Sequence, residues 1–422
     1  MIRSFRSRYV GPSSDLSATF APRLNLVTGD NGLGKSFLLE ALWWALTRDW
    51  AGPQALPIAA PELAQISARF DGKARVAEAT GRFQPESQTW VPNSGRPPNP
   101  GLVLYAAVDG SFSAWDPVRN YALSPWVKAR RDSFERSTHL SPTDLWEGKV
   151  DEAGRVRSNG LLRDWVDWQA RGDQRFAVLE AVMGALSETD QPLTPGPSRR
   201  LFVEDARLFP TITMPYGDVP VIHASAGHRR VLALAYVLVW AWHEHLQAAA
   251  LIDQAPVRTI VLMFDEIEAH LHPKWQRTLL PSLLRCISML SDGANLQLIG
   301  ATHSPILVAS VENLVTAQDK LFTLDLDDGP MGREGRLHEV PWDKHVTADA
   351  WLRSDAFDLP FTGSAEQQAA YERAASLMSG PTTITDLDGL VDAVRDVIPA
   401  EDALWARIRF LRQRLAEHPV TR

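Results

Sequence analysis

The chain has 422 residues, 45% of them hydrophobic and 22% charged, with a formal net charge of −8. Those proportions allow a full globular core, and the acidic balance excludes a surface that is basic overall, so any nucleic-acid contact has to come from a local patch. The single cysteine, Cys286, excludes an internal disulfide and reads as a small buried residue in an apolar run. The first residues lack the long apolar core of a secretory signal, and the longest apolar stretch, residues 231–242, is roughly half of what a bilayer needs. The expectation is a cytoplasmic protein with no membrane segment.

In chain order, residues 1–29 read as three short strands, and the third, residues 24–28, is apolar at Leu24, Leu26 and Val27. The run Gly29, Asp30, Asn31, Gly32, Leu33, Gly34, Lys35, Ser36 follows at once and opens a helical stretch at Phe37. Residues 50–120 are rich in Pro and Gly, with residues 75–83 and 102–108 the clearest strands. Residues 120–200 read as mostly helical, with residues 192–197 as a Pro/Gly hinge, and residues 202–223 return to strand-like alternation. The helix over residues 231–250 is apolar nearly all round, which predicts burial. Two apolar runs, residues 260–264 and 296–302, suit the centre of a parallel sheet covered on both faces. From about residue 340 the pattern changes to amphipathic helices. One near residues 401–416 carries Leu404, Ile408, Leu411 and Leu415 on one stripe, with Arg407, Arg409, Arg412 and Arg414 mostly off it.

Four short segments carry chemistry. In the first, Gly29, Gly32 and Gly34 let the backbone curl so that its N–H groups face phosphates, and the following helix adds its positive end to the same point. Lys35 is positioned to reach the β- and γ-phosphates and Ser36 to bind Mg²⁺. In the second, a buried strand delivers Asp265 to its C-terminal end, where open α/β sheets bind ligands; Asp265 suits Mg²⁺, and Glu266 suits a general base on the attacking water. In the third, His303 follows the next apolar strand, within reach of the γ-phosphate. In the fourth, Ser225 and Gly227 open the buried helix and offer a hydroxyl and bare N–H groups, a second anion site beyond the one set of phosphate-cradling residues. That surplus points to closure over the nucleotide of a second copy. The pair His270 and His272 reads as structural, since no third ligand lies near. Trp165 and Trp168 read as core.

Taken in this order, the four segments resemble the ABC-type ATPase head, and more narrowly its SMC/RecF/OLD branch, which includes many bacterial AAA-family ATPases linked to phage defence. The start of the chain, from Ile2 to Ser36, resembles that branch's first strands and Walker A motif. The segment from Asp265 through Glu268 and His270 to Pro273 resembles its Walker B motif and D-loop. The segment from Gln297 to Pro305 resembles its switch-histidine segment, and that from Ala224 to Arg230 its signature motif. The resemblance covers about residues 1–50 and 200–330.

It implies an α/β P-loop NTPase with an ABC-type head over residues 1–335, an antiparallel β lobe, a mixed and helical insertion at about 110–215, and a C-terminal helical region over 336–422. It implies ATP and Mg²⁺ as ligands. Gly29 to Phe37, Ser225 and Gly227 would hold the nucleotide, Ser36 and Asp265 the metal, and Lys35, Glu266 and His303 would carry catalysis. It further implies an ATP-dependent head-to-head homodimer, with Ser225 and Gly227 acting in trans, and a regulatory role in defence beside a separate effector such as a nuclease. The alternatives are a RecF-like DNA-repair ATPase and a nucleotide-gated scaffold with little turnover. His228 stands where a Gln or Glu is common in the signature. The Q-loop glutamine stays open among Gln54, Gln65, Gln84 and Gln88. Asp386, Asp388, Asp392 and Asp396 read as helical rather than as a Toprim nuclease site. Residues 351–359 resemble, more loosely, the segment after the head in Septu-like defence ATPases.

Overall fold

The computed structural model describes residues 1–422 except 72–75, 94–98, 122–136, 189–190, 291–293, 360, 380–383, 396 and 418–422. The chain divides into two compact units, one of residues 1–351 with 355–357, the other of residues 352–354 with 358–422.

The first unit is built on an eight-stranded sheet. Its strands run in the order Gly332–Val340, Lys320–Gly329, Leu24–Gly29, Asn295–Ala301, Thr259–Phe264, Leu102–Ala106, Phe112–Trp115 and Thr138–Leu140. The five from Lys320–Gly329 to Leu102–Ala106 are parallel. The flanking strands pair antiparallel. Leu24–Gly29, Thr259–Phe264 and Leu102–Ala106 are buried along nearly their whole length, which is why they read as continuous apolar runs rather than alternating ones. Two apolar layers cover this sheet. One is formed with the helix Lys35–Thr47, which lies between the sheet and a separate antiparallel sheet of Ser13–Thr19, Ile2–Val10, Gln65–Asp71, Val76–Gln84 and Thr89–Pro92. The other is formed with the helices Leu161–Arg171, Gln174–Leu186, Ala226–Leu251 and Pro273–Leu290.

Ala226–Leu251 is 26 residues long, and residues 230–242 are buried without interruption. The burial follows from position: this stretch of the helix runs through the second apolar layer, so it has no solvent face to mark with polar residues. Trp165 and Trp168 are buried in that layer, and so is Cys286, whose thiol burial pushes up to about 12. No helix among the described residues is long and apolar enough to cross a membrane.

The second unit holds the helices Ala365–Ser379, Ile384–Val394 and Ala403–Glu417 around Ala370, Ala374, Leu390, Val394, Ile398, Leu404 and Ile408. The expected stripe is present at Leu404 and Ile408, and Arg407, Arg409, Arg412 and Arg414 are exposed. Asp386, Asp388 and Asp392 lie on the helix Ile384–Val394, while Asp396 lies outside the described residues.

Several expectations need correction. The Pro/Gly hinge is part of the strand Thr194–Arg200, in which Pro195 pairs opposite Ile212. The strand is at the edge of its three-stranded sheet, where a missing N–H is tolerated. Residues 120–200 are mixed rather than mostly helical, since Thr138–Leu140, Lys149–Val150 and Val156–Ser158 are also strands; residues 122–136 lie outside the described set. The insertion expected from about residue 110 begins with two strands of the main sheet. The boundary expected after residue 335 falls inside the strand Gly332–Val340, which pairs residue for residue with Lys320–Gly329.

Candidate active site

The P-loop joins the strand Leu24–Gly29 to the helix Lys35–Thr47, and its three glycines sit at φ of 121°, 79° and 105° for Gly29, Gly32 and Gly34. Two of them are also fixed by contact. A Cβ on Gly29 would stand 2.2 Å from the Leu324 carbonyl oxygen, and one on Gly34 2.6 Å from the Pro12 side chain. Gly34 is the N-cap, and among the described residues no side chain caps the helix. Its first N–H groups, on Lys35, Ser36 and Phe37, precede the first intrahelical bond and face the loop. Phe37 lays its ring over Gly11, where a Cβ would come within 2.3 Å. Asp30, Asn31, Gly32 and Ser36 are exposed; Leu33 is half-buried. The Lys35 ammonium donates to the carbonyls of Gly29 at 2.8 Å and Asp30 at 2.7 Å. Burial lowers its pKa, against the attraction of Asp265, Asp30, Glu266 and Glu268.

Three neighbouring parallel strands bring the other groups to the same rim. Phe264 is in register with Gly300, and Ala301 with Val27, so the strand ends stand level. Asp265 is 2% exposed, and its N–H donates to the Ala106 carbonyl at 2.9 Å. Burial raises its pKa, and a hydrogen bond from Ser36 opposes the rise. Its Oδ1 is buried with no hydrogen-bond partner among the described residues. A buried carboxylate oxygen without a donor, beside a hydroxyl, suits a hard cation that keeps most of its water, so Ser36 and Asp265 fit Mg²⁺. Glu266 follows at φ 44°, half-buried. His303 is half-buried just beyond Asn295–Ala301. Burial lowers its pKa, and so does Lys35, while Glu268, Glu266 and Asp265 raise it.

Ser225 is the N-cap of Ala226–Leu251. Its Oγ accepts from the His228 N–H at 3.3 Å and lies 2.6 Å from His228 Nδ1. Gly227 is buried, and a Cβ there would stand 2.9 Å from the His270 carbonyl oxygen. The His228 ring meets Trp275 edge-on at 4.9 Å. His270 and His272 lie in the turn before Pro273–Leu290, and among the described residues no metal-ligating cluster forms around them. None of the four candidate glutamines stands out as a site residue: Gln54 donates to the Gln88 carbonyl, Gln84 accepts from Ser87, and Gln65 lies in the antiparallel sheet.

Sequence reasoning gave no role to three charged residues, two of which, Arg230 and Glu268, lie inside the motif segments. Arg230 is 7% exposed and donates to the carbonyls of Ala107 at 3.0 Å and Asp265 at 3.4 Å, with its guanidinium over the Phe264 ring. Glu40, one turn after Ser36 on the same helix, has its pKa raised by burial and by Asp265 beside it. Glu268 binds the His303 segment with both carboxylate oxygens. The available signal was placement: Arg230 on an otherwise buried helix, Glu40 four residues after Ser36, and Glu268 in the turn leaving the Asp265 strand.

Two family models match. One, described as "AAA domain, putative AbiEii toxin, Type IV TA system", covers residues 216–309, and the other, described as "AAA domain", covers residues 2–55. Among solved structures, the chain is similar to the SMC head domain from Thermotoga maritima (16% identity, TM-score 0.40, covering 81% of this chain and 99% of that one). It is similar to the Smc head domain with an extended coiled coil, bound to the C-terminal domain of ScpA, derived from Pyrococcus furiosus (12%, 0.44, 84% and 99%). It is also similar to the recombination mediator protein RecF (11%, 0.38, 81% and 98%).

The matched models bracket both sides of the site, and sheet and loop together define an α/β P-loop nucleotide-binding protein. More particularly, the two stretches that match AAA domain models hold the P-loop on one side and Asp265, Glu266 and His303 on the other.

Proposed function

We propose that this chain binds ATP with Mg²⁺ at the rim formed by the P-loop and the strand end at Asp265, hydrolyses it, and completes each site with Ser225 and Gly227 of a second copy. The observation that carries the reading is the convergence of Lys35, Ser36, Asp265, Glu266 and His303 at level ends of adjacent parallel strands. Lys35 exchanges the carbonyls of Gly29 and Asp30 for the β- and γ-phosphate oxygens of the substrate, and the N–H groups of Lys35, Ser36 and Phe37 receive the phosphate chain. Ser36 and Asp265 would hold Mg²⁺, which when bound neutralises charge on the β- and γ-oxygens. Glu266 orients and deprotonates the attacking water, and His303, neutral at pH 7, contacts the γ-phosphate. At the signature helix, Ser225 gives up its bond to His228 to reach a phosphate across the dimer.

The biological role we infer is that of a regulatory ATPase in phage defence, acting with a separate effector such as a nuclease. It is supported by the resemblance of the motifs and by a matched family whose description names a toxin of a type IV toxin–antitoxin system. One observation favours the RecF-like alternative. Arg6, Arg8 and Arg69 line a shared concavity with Ser4, Ser17, Ser67 and Glu78 on the antiparallel sheet, where Arg6 pairs with Asp15 and Arg69 with Glu78, so a DNA phosphate there would have to compete with those carboxylates.

The test is light scattering on Glu266→Gln with and without ATP and Mg²⁺, beside phosphate release by the wild type. Phosphate release, together with an ATP-dependent gain in mass for the variant, supports the reading. ATP binding without a change in mass removes the trans role of Ser225 and Gly227 and leaves a site complete within one chain.

A further inference from the structure

His303 sits in a segment, residues 302–304, that belongs neither to the strand Asn295–Ala301 nor to the helix Pro305–Val311. Its backbone direction is therefore set by neither ladder. The Thr302 N–H still reaches the Val27 carbonyl at 3.0 Å. Beyond that point side chains take over. Glu268 accepts from Thr302 Oγ1 at 2.6 Å on one carboxylate oxygen and from the His303 N–H at 2.5 Å on the other. Thr302 Oγ1 in turn accepts from the Ser304 N–H at 3.0 Å. The Ser304 hydroxyl donates to Gln276 at 2.6 Å and accepts from the Leu307 N–H at 3.2 Å, capping the next helix.

We propose that Glu268 is a positioning residue for His303: its carboxylate spans the Thr302–His303 peptide, fixes the plane of that peptide, and so aims the imidazole at the rim. This rests on the proposed reading of His303 as a γ-phosphate contact. Two donors on one carboxylate constrain orientation as well as distance, as a single hydrogen bond does not. The same carboxylate stands at the turn leaving Asp265 and Glu266, so the segments bearing the base and the histidine are tied at one point. Glu268 bonds through shape as well as charge: a glutamine can accept from the His303 N–H and donate to Thr302 Oγ1. The role is therefore geometric and predicts rescue by the amide.

The test has two arms on the full chain. In the first, amide hydrogen exchange is followed at His303 without nucleotide in the wild type, Glu268→Ala, Glu268→Gln and Thr302→Val. The expected result is exchange faster by about 10-fold or more in Glu268→Ala, as a protected amide opens, with most protection recovered in Glu268→Gln and an intermediate rate in Thr302→Val. In the second, kcat and KM for ATP are measured for the same variants and for Glu268→Ala placed on His303→Ala. The expected kcat loss for Glu268→Ala is about 10- to 100-fold with KM little changed, as for other residues that orient a reacting side chain. Glu268→Gln recovers most of it, and Glu268→Ala adds little on the His303→Ala background. Unchanged exchange at His303 in Glu268→Ala overturns the proposal. So does a full Glu268→Ala penalty in the absence of His303, or a Glu268→Gln variant as slow as the alanine. A wild type that binds but does not hydrolyse ATP removes the proposed function instead, and the exchange arm still decides the positioning.

Discussion

Two helices in this molecule begin at glycine-bearing turns, and they treat their first N–H groups differently. The P-loop helix starts from Gly34 at φ 105° with no side-chain cap among the described residues, and its lysine bonds two backbone carbonyls that a phosphate can displace. The helix at Ala226 starts from Ser225, whose hydroxyl is engaged by the N–H and ring of His228, and its glycine is pressed against the His270 carbonyl. Both ends carry the same partial positive charge. What differs is how many donors are left uncommitted. At the first end only the lysine has to leave backbone carbonyls to take an anion, whereas at the second the capping hydroxyl itself is already engaged by His228.

The comparison can be broken at either helix. The largest effect expected is at the rim that serves the first: Glu266→Gln should lower kcat by about 100-fold or more, the size usual for loss of a general base, with ATP affinity retained. Single-turnover phosphate release beside equilibrium binding measures both. Next, Lys35→Ala should weaken ATP binding by about 100-fold through loss of charge-assisted hydrogen bonds, read by titration with a fluorescent ATP analogue. Gly227→Ala should lower stability by about 1–3 kcal/mol, because its Cβ would stand 2.9 Å from a backbone oxygen that cannot move without the whole turn at His270. A denaturant titration measures that, and an unchanged midpoint would remove the packing constraint assigned to this glycine. The smallest effect is for Ser225→Ala, about 1 kcal/mol of stability for a lost N-cap. If the serine also acts across a dimer, the same variant should lose the ATP-dependent mass gain, which a cap alone does not explain.

The motif residues were legible because each depends on a local rule. Three glycines at positive φ make a P-loop wherever a strand precedes and a helix follows, and a continuous apolar run ending in Asp265 and Glu266 names a buried parallel strand and its functional end. The buried part of the helix Ala226–Leu251 was legible for the same reason, since the apolar run over residues 231–242 has no choice of face. Residues 50–220 were less legible. Many of their strands pair with the next strand in sequence, but nothing local tells that Leu102–Ala106 also pairs with Thr259–Phe264 or that Pro195 lies on a sheet edge.

By itself, then, the sequence determined in which strand-and-helix setting each candidate residue sits, because dihedral preference and hydrophobic period act within a few residues. Tertiary structure alone decided which of them meet. The register of three parallel strands levels Asp265 and His303 with the P-loop. Packing of a turn against a strand end gives Glu268 two donors, and the approach of the His270 turn makes Gly227 a steric necessity. Those pairings join residues from tens to hundreds of positions apart in the chain, where strand register and side-chain volume act and local propensity does not.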